Sequence, residues 1–246
     1  MSDPIQTAIV TGASRGFGRA IAAALVATGT GVVGIARDEQ ALHAVRDELG
    51  EGFTPVAADA TGEALAQDLI REHRPRLLVL NAGATPHMAP VHEQTWETFS
   101  RNWHTDTRHV FTWTRAALRE PLAPGSVVVA MSSGAALGGS PLSGGYASAK
   151  AAIRYIRGYA ADEAERAGLG IRFLALLPQL TPAAGVGSAG VTGYAARQGV
   201  DRDAFIDGLQ PILTPEQVAK AVMELAGDPE SAPEYLVGGA GLRPIG

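Results

Sequence analysis

The stretch "AIVTGASRGFGRAIAAALVA" (residues 8–27) decides the fold. An apolar, partly β-branched run passes through Gly12, Gly16 and Gly18 into a helical pattern. This reads as a strand near 6–11, a glycine turn and a helix near 16–28. Glycine permits the tight turn and lets a pyrophosphate approach N–H groups at a helix N-terminus. The spacing is G-x-x-x-G-x-G rather than G-x-G-x-x-G, and no P-loop Lys-Ser/Thr follows. Glycines could also serve only a tight connection, but their place after the first strand favours the phosphate reading.

Outward from this unit, short apolar runs alternate with longer helical patterns. Further strands are expected near 31–36, 53–58, 76–81, 126–132, 170–177 and 234–238. Helices are expected near 38–49, 62–73, 95–119, 145–167 and 214–226. "SVVVAMS" and "IRFLALL" are nearly continuous in apolar residues, as when helices cover both faces of a parallel sheet. Such alternation implies right-handed βαβ units with ligands bound beyond the carboxyl ends of the strands. Residues 179–213 ("QLTPAAGVGSAG…") break the alternation and read as a long lid or a disordered connection.

Composition narrows the function. At 46% hydrophobic and 18% charged, 246 residues can bury a substantial core. The net charge of −5, with no basic stripe, argues against nucleic acid as partner. The absence of cysteine removes disulfides, thiolate metal sites and a cysteine nucleophile. "MSDPIQTAIVTG" lacks the features of a signal peptide, and no apolar stretch nears the ~20 residues of a membrane span. The expectation is a cytoplasmic protein that does not enter a membrane.

The second strand reads "VVGIAR", with Ala36 and Arg37 where an NAD-binding turn would carry an acid for the ribose 2′-OH. Arg37 and Arg15 could instead clamp a 2′-phosphate, so NADP is expected rather than NAD. "SGGYASAK" (143–150) sets Tyr146 and Lys150 four apart, on one face of a helix, among small residues. In isolation the pair favours a solvated Lys beside a half-buried Tyr, because short motifs recur by chance.

Together these motifs resemble the short-chain dehydrogenase/reductase family along nearly the whole chain. "TGASRGFG" is similar to its cofactor turn, "NAG" at 81–83 to its strand-four motif and Asp59 to its adenine-contacting acid. Ser133, thirteen residues before Tyr146, completes with Lys150 the family's Ser and Tyr-x-x-x-Lys. The resemblance implies one Rossmann-like, doubly wound α/β domain over 1–246 with a seven-stranded parallel sheet, 179–213 forming its lid. It implies cofactor contacts from Gly12, Ser14, Arg15, Gly16, Phe17, Gly18, Arg37, Asp59, Ala60, Asn81, Ala82, Gly83, Tyr146, Lys150, Pro178 and Thr181. It further implies a homodimer or homotetramer paired through helices 95–119 and 145–167.

Two positions depart from the family. Gln179 follows Pro178 where the family has Gly, and Asp106 aligns with the catalytic Asn. The backbone carbonyl of Asp106 is expected to keep the water-holding role of that Asn. Its side chain would either act on Lys150 or face Arg101 or Arg108.

The expected chemistry is ketone–secondary alcohol interconversion on a small, moderately apolar substrate. Tyr146 would be the proton donor or acceptor, and Ser133 would bond the same oxygen. Lys150 would favour Tyr146 ionisation and hold the ribose. His43, His73, His87, His92, His104 and His109 make no metal motif, and His104 and His109 read as surface residues. Ser133 lies in no G-x-S-x-G elbow. Trp96, Trp103 and Trp113 read as packing or subunit contacts. The competing readings are a 3-oxoacyl-carrier-protein reductase and a non-catalytic NADP(H)-binding sensor.

Overall fold

The computed structural model describes residues 6–183 and 185–245, so the first five residues of the segment read above for a signal peptide lie outside it. Strands β1 (Thr7–Thr11), β2 (Gly31–Ala36), β3 (Phe53–Ala57), β4 (Leu77–Leu80), β5 (Val127–Met131), β6 (Arg172–Pro178), β7 (Glu234–Gly238) and β8 (Gly241–Pro244) form one sheet in the order β3-β2-β1-β4-β5-β6-β7-β8. The first seven run parallel, as the sequence predicts. The eighth corrects the expected count: it folds back antiparallel on β7 through the two-residue Gly239–Ala240 turn.

Side chains alternate across the sheet, and both faces are apolar and covered by helices. Ala8 and Val10 of β1 face α1 (Gly16–Ala27), α2 (Glu39–Leu49) and α10 (Pro215–Gly227), packing with Ile21, Leu25, Leu42, Val218 and Val222. Ile9 faces the opposite layer of α3 (Glu63–His73), α5 (Arg108–Arg119) and α7 (Gly144–Arg166), with Leu69, Val110, Trp113 and Ile153. This two-sided burial explains why the strands carry apolar runs without polar alternation.

One further expectation is corrected, and two other segments hold helices that the sequence did not announce. The single helix 95–119 is instead α4 (Trp96–Asn102), a π-helical turn (Trp103–Thr107) and α5. The short α6 (Ala135–Gly138) follows β5. The segment 179–213 holds α8 (Gly185–Gln198) and α9 (Arg202–Asp207); its Ala184 lies outside the described residues. Glycine lowers helix propensity, which hid α8, but a Cβ on Gly187 would stand 1.8 Å from Thr181 O, so the approach needs glycine.

Candidate active site

The strand order reverses at β1 and β4, and a cleft of about 1380 Å³ opens there along the carboxyl ends of the strands. At its floor, Gly12 (φ 68°) and Gly16 (φ 55°) adopt left-handed conformations. Gly18 does not, but a Cβ on it would lie 2.2 Å from Gly12 O. Its role is close packing of α1 on the turn. Arg15, at the N-cap, makes no side-chain capping bond, and the first turn of α1 carries no acid. The first N–H groups of α1 therefore lack an intrahelical partner and a side-chain cap, the situation that suits an anion. Ser14 and Phe17 line the same wall.

Arg37 is exposed just beyond β2 and lines the cleft. The nearby acid, Asp38, caps α2 by accepting from Ala41 N–H at 3.0 Å. After β3, Asp59 Oδ1 accepts from Thr61 N–H and Thr61 Oγ1, both at 2.9 Å. Those bonds, backbone first, hold its carboxyl below the usual range against a smaller opposing effect of burial, helped by Arg37 and Arg108. Beside it, Ala60 O accepts from Trp113 Nε1 at 2.8 Å. Beyond β4, Ala82 N–H bonds Thr11 Oγ1 at 3.0 Å, and Asn81, Ala82 and Gly83 line the middle of the cleft.

Ser133, Tyr146 and Lys150 all line the cleft on the β5 side. Ser133 Oγ accepts from Ala135 N–H at 3.2 Å, which engages a lone pair and leaves the hydroxyl proton available. Tyr146, half-buried on the first turn of α7, has no hydrogen-bond partner for its hydroxyl among the described residues. Small neighbours let α7 lie this close: a Cβ on Gly145 would stand 1.9 Å from Phe99 O. Lys150 Nζ lies 5.6 Å from the Tyr146 ring centroid and donates to Met131 O at 3.0 Å.

Asp106 faces neither Arg101 nor Arg108. Its Oδ2 lies 3.2 Å from Lys150 Nζ, and both side chains are buried. Its Oδ1 accepts from Ala84 N–H at 2.8 Å. Burial alone would depress the Lys150 pKa, but the Asp106 charge, then Tyr146 and the Asp106 hydrogen bond, carry it above the ordinary lysine value.

His109 corrects the expectation of a surface residue. It is fully buried, with neither ring nitrogen hydrogen-bonded among the described residues, and burial first, then Lys150, lower its pKa to about 3 against Asp59. It stands at i+3 from Asp106, on the face that carries Val110 and Trp113. His104 is exposed, as expected. Trp113 is core, Trp103 bonds Ser148 Oγ, and Trp96 stacks on Phe99 at the surface.

At the far end, Pro178 O accepts from Gly134 N–H at 2.9 Å, tying the ends of β6 and β5. Gln179 continues the pairing to Val237 O, and its side chain lies where a Cβ on Gly238 would be. The Thr181 hydroxyl is engaged within the protein, donating to Leu213 O at 2.6 Å. Sequence reading passed over Asn102, buried four residues before Asp106 and bonded to it, and Tyr194 of α8, which lines the cleft and bonds Ser140. The Asn/Asp spacing of four was the available signal for the first.

Among the described residues no cluster of His, Asp and Glu could hold a metal, and no helix is long and apolar enough to cross a membrane.

Residues 6–190 match the short chain dehydrogenase family. A short chain dehydrogenase of Pseudocercospora fijiensis is 32% identical over 184 residues, 70% of this chain and 59% of that protein. The NADP-dependent 3-hydroxy acid dehydrogenase of Salmonella typhi is 30% identical over 157 residues, 59% of this chain and 61% of that enzyme. The matches thus span about three-fifths of these curated relatives. A solved short-chain dehydrogenase from Streptomyces avermitilis superposes with a TM-score of 0.76 at 27% identity, covering 98% of this chain and 90% of that one.

Proposed function

The chain belongs to the short-chain dehydrogenase family, and from that premise we propose that it interconverts a ketone and a secondary alcohol with NADP, on a small, moderately apolar substrate. The observation that carries the reading is the cleft itself. It joins the uncapped start of α1 to the hydroxyls of Ser133 and Tyr146, with Lys150 behind them.

The residues present fit a nicotinamide dinucleotide. The α1 N–H groups and the Gly12–Gly18 turn, with Ser14 and Phe17, would hold the pyrophosphate. Arg15 and Arg37 would read a 2′-phosphate, and no free carboxylate at the end of β2 competes for a 2′-OH, because Asp38 caps α2. Asp59 and Ala60 would meet the adenine, Asn81, Ala82 and Gly83 the central sugars, and Lys150 a ribose hydroxyl. Pro178 and the main chain near Thr181 would border the nicotinamide. The cofactor, when bound, supplies or accepts the hydride.

The chain's own residues handle the proton and the developing charge. In reduction, the Tyr146 phenol gives its proton to the carbonyl oxygen; in oxidation it takes the proton of the alcohol. The Ser133 hydroxyl donates to the same oxygen and stabilises charge developing there. Met88, Leu137, Leu180, Leu209, Leu213 and Leu236 make the substrate end apolar. Helices α8 and α9 with the segment around them would act as the lid. The exposed Phe111 of α5 and the stacked, exposed Tyr155 and Tyr159 of α7 support pairing of subunits through these helices.

NADPH titration followed by a panel of small ketones tests the proposal. Binding with NADPH oxidation by at least one ketone is expected. Tight binding without turnover across chemically diverse carbonyls would contradict it and favour a cofactor-binding sensor.

A further inference from the structure

We propose that Asp106, aimed by Asn102, is a fixed buried counter-ion to Lys150, and that Asn102 is a positioning residue that poises this site to give a proton rather than take one. The inference rests on the proposed reaction and adds a residue and a preferred direction to it.

The π-helical turn sets the arrangement. Asn102 closes α4 just before the turn, Asp106 lies inside it, and both are buried. Asn102 Nδ2 donates to Ala84 O at 2.8 Å and to Asp106 Oδ1 at 3.3 Å. Ala84 N–H donates to the same Oδ1 at 2.8 Å. Two side chains therefore grip the two polar groups of one residue, the acid taking its N–H and the amide its carbonyl. With Oδ1 held by two donors, the carboxylate plane is set and Oδ2 is left for Lys150 Nζ at 3.2 Å. The neighbouring Gly83 makes room, since a Cβ there would lie 2.9 Å from Oδ2 and 3.1 Å from Cγ.

An amide at position 106 could accept from Ala84 equally well, so the Ala84 contact does not explain the acid. What the acid adds is charge. A bare ammonium near Tyr146 favours the phenolate, and a carboxylate beside that ammonium offsets its field. With that field offset, Tyr146 faces the substrate as a proton donor, which suits carbonyl reduction. Among the described residues, the other titratable groups around the pair are His109 of α5, which stays neutral, His104 on the exposed lip and Asp59 at the adenine end, itself facing Arg37 and Arg108. None supplies a second anion beside Lys150.

The test is the pH dependence of kcat for NADPH-linked reduction of one ketone from the panel. It compares wild type, Asp106→Asn, Asn102→Ala and the double variant, with Tyr146→Phe alongside. The alkaline fall in rate should begin about one pH unit lower in Asp106→Asn. Asn102→Ala should move it the same way by less, and the double variant no further than Asp106→Asn, because Asn102 acts through the carboxylate. If Asn102→Ala does not fold, Asn102→Ser, which keeps a small donor, takes its place in the cycle. An unshifted Asp106→Asn profile, additive shifts, or a folded and NADPH-binding but inactive Asp106→Asn protein would each overturn the inference. Turnover by Tyr146→Phe would instead overturn the reaction assignment, so the two failures are distinguishable.

Discussion

Asn81 Nδ2 donates to the carbonyl oxygens of Thr11 at 3.0 Å and Gly12 at 3.3 Å, so the residue just past β4 holds the turn that leaves β1. Its own N–H adds a bond to Thr11 Oγ1 at 2.9 Å. The two strands flank the reversal of strand order, and these bonds fix the width of the cleft floor. Asn81→Ala should cost about 1–3 kcal/mol of stability, because the carbonyls lose a donor. It should also weaken NADPH binding several-fold, through loosening of the glycine turn. Denaturant unfolding and NADPH titration check both, and unchanged affinity would show that the turn holds its shape without Asn81.

Arg37→Asp should shift cofactor preference from NADP towards NAD. The new carboxylate would repel a 2′-phosphate and could accept from a free 2′-OH. The kcat/KM ratio for the two cofactors is the measurement. An unchanged ratio would mean that Arg37 does not read the phosphate.

Much of this cleft was legible in the sequence, for a physical reason. Left-handed Gly12 and Gly16 and the close approach at Gly18 each demand glycine, so the turn leaves its mark on the residue types. The apolar strands did the same, because both faces of the sheet are covered. The π-helical turn left no such mark, because one extra residue in a turn changes no residue type; His109 was misplaced because its spacing from His104 was read, and not its i+4 relation to the core Trp113. Strand β8, "GLRP", has no β-branched residue, and its pairing is set by the turn before it. The carboxylate of Asp106 meets Lys150 from another element, and no local pattern records that meeting.

His109 predicts an acid-sensitive fold. Its pKa of about 3 in the native state lies below the ordinary 6.5, so between these values the unfolded chain binds a proton that the folded chain excludes. Stability contributed by this site is therefore present above about pH 6.5 and lost as pH falls below it. From pH 7 to pH 5 wild type should lose about 2 kcal/mol more than His109→Gln, which cannot titrate there. Unfolding curves at the two pH values measure this, and equal losses would contradict the burial of a neutral imidazole.

If Tyr146 carries the proton, Tyr146→Phe is the decisive variant, because the substitution keeps the ring and removes only the hydroxyl. NADPH affinity and carbonyl reduction should be measured on the same preparation. Near-wild-type NADPH binding is expected, with turnover reduced by roughly 10²–10⁴-fold, the usual contribution of a positioned general acid. Near-normal turnover by the Phe variant would contradict it.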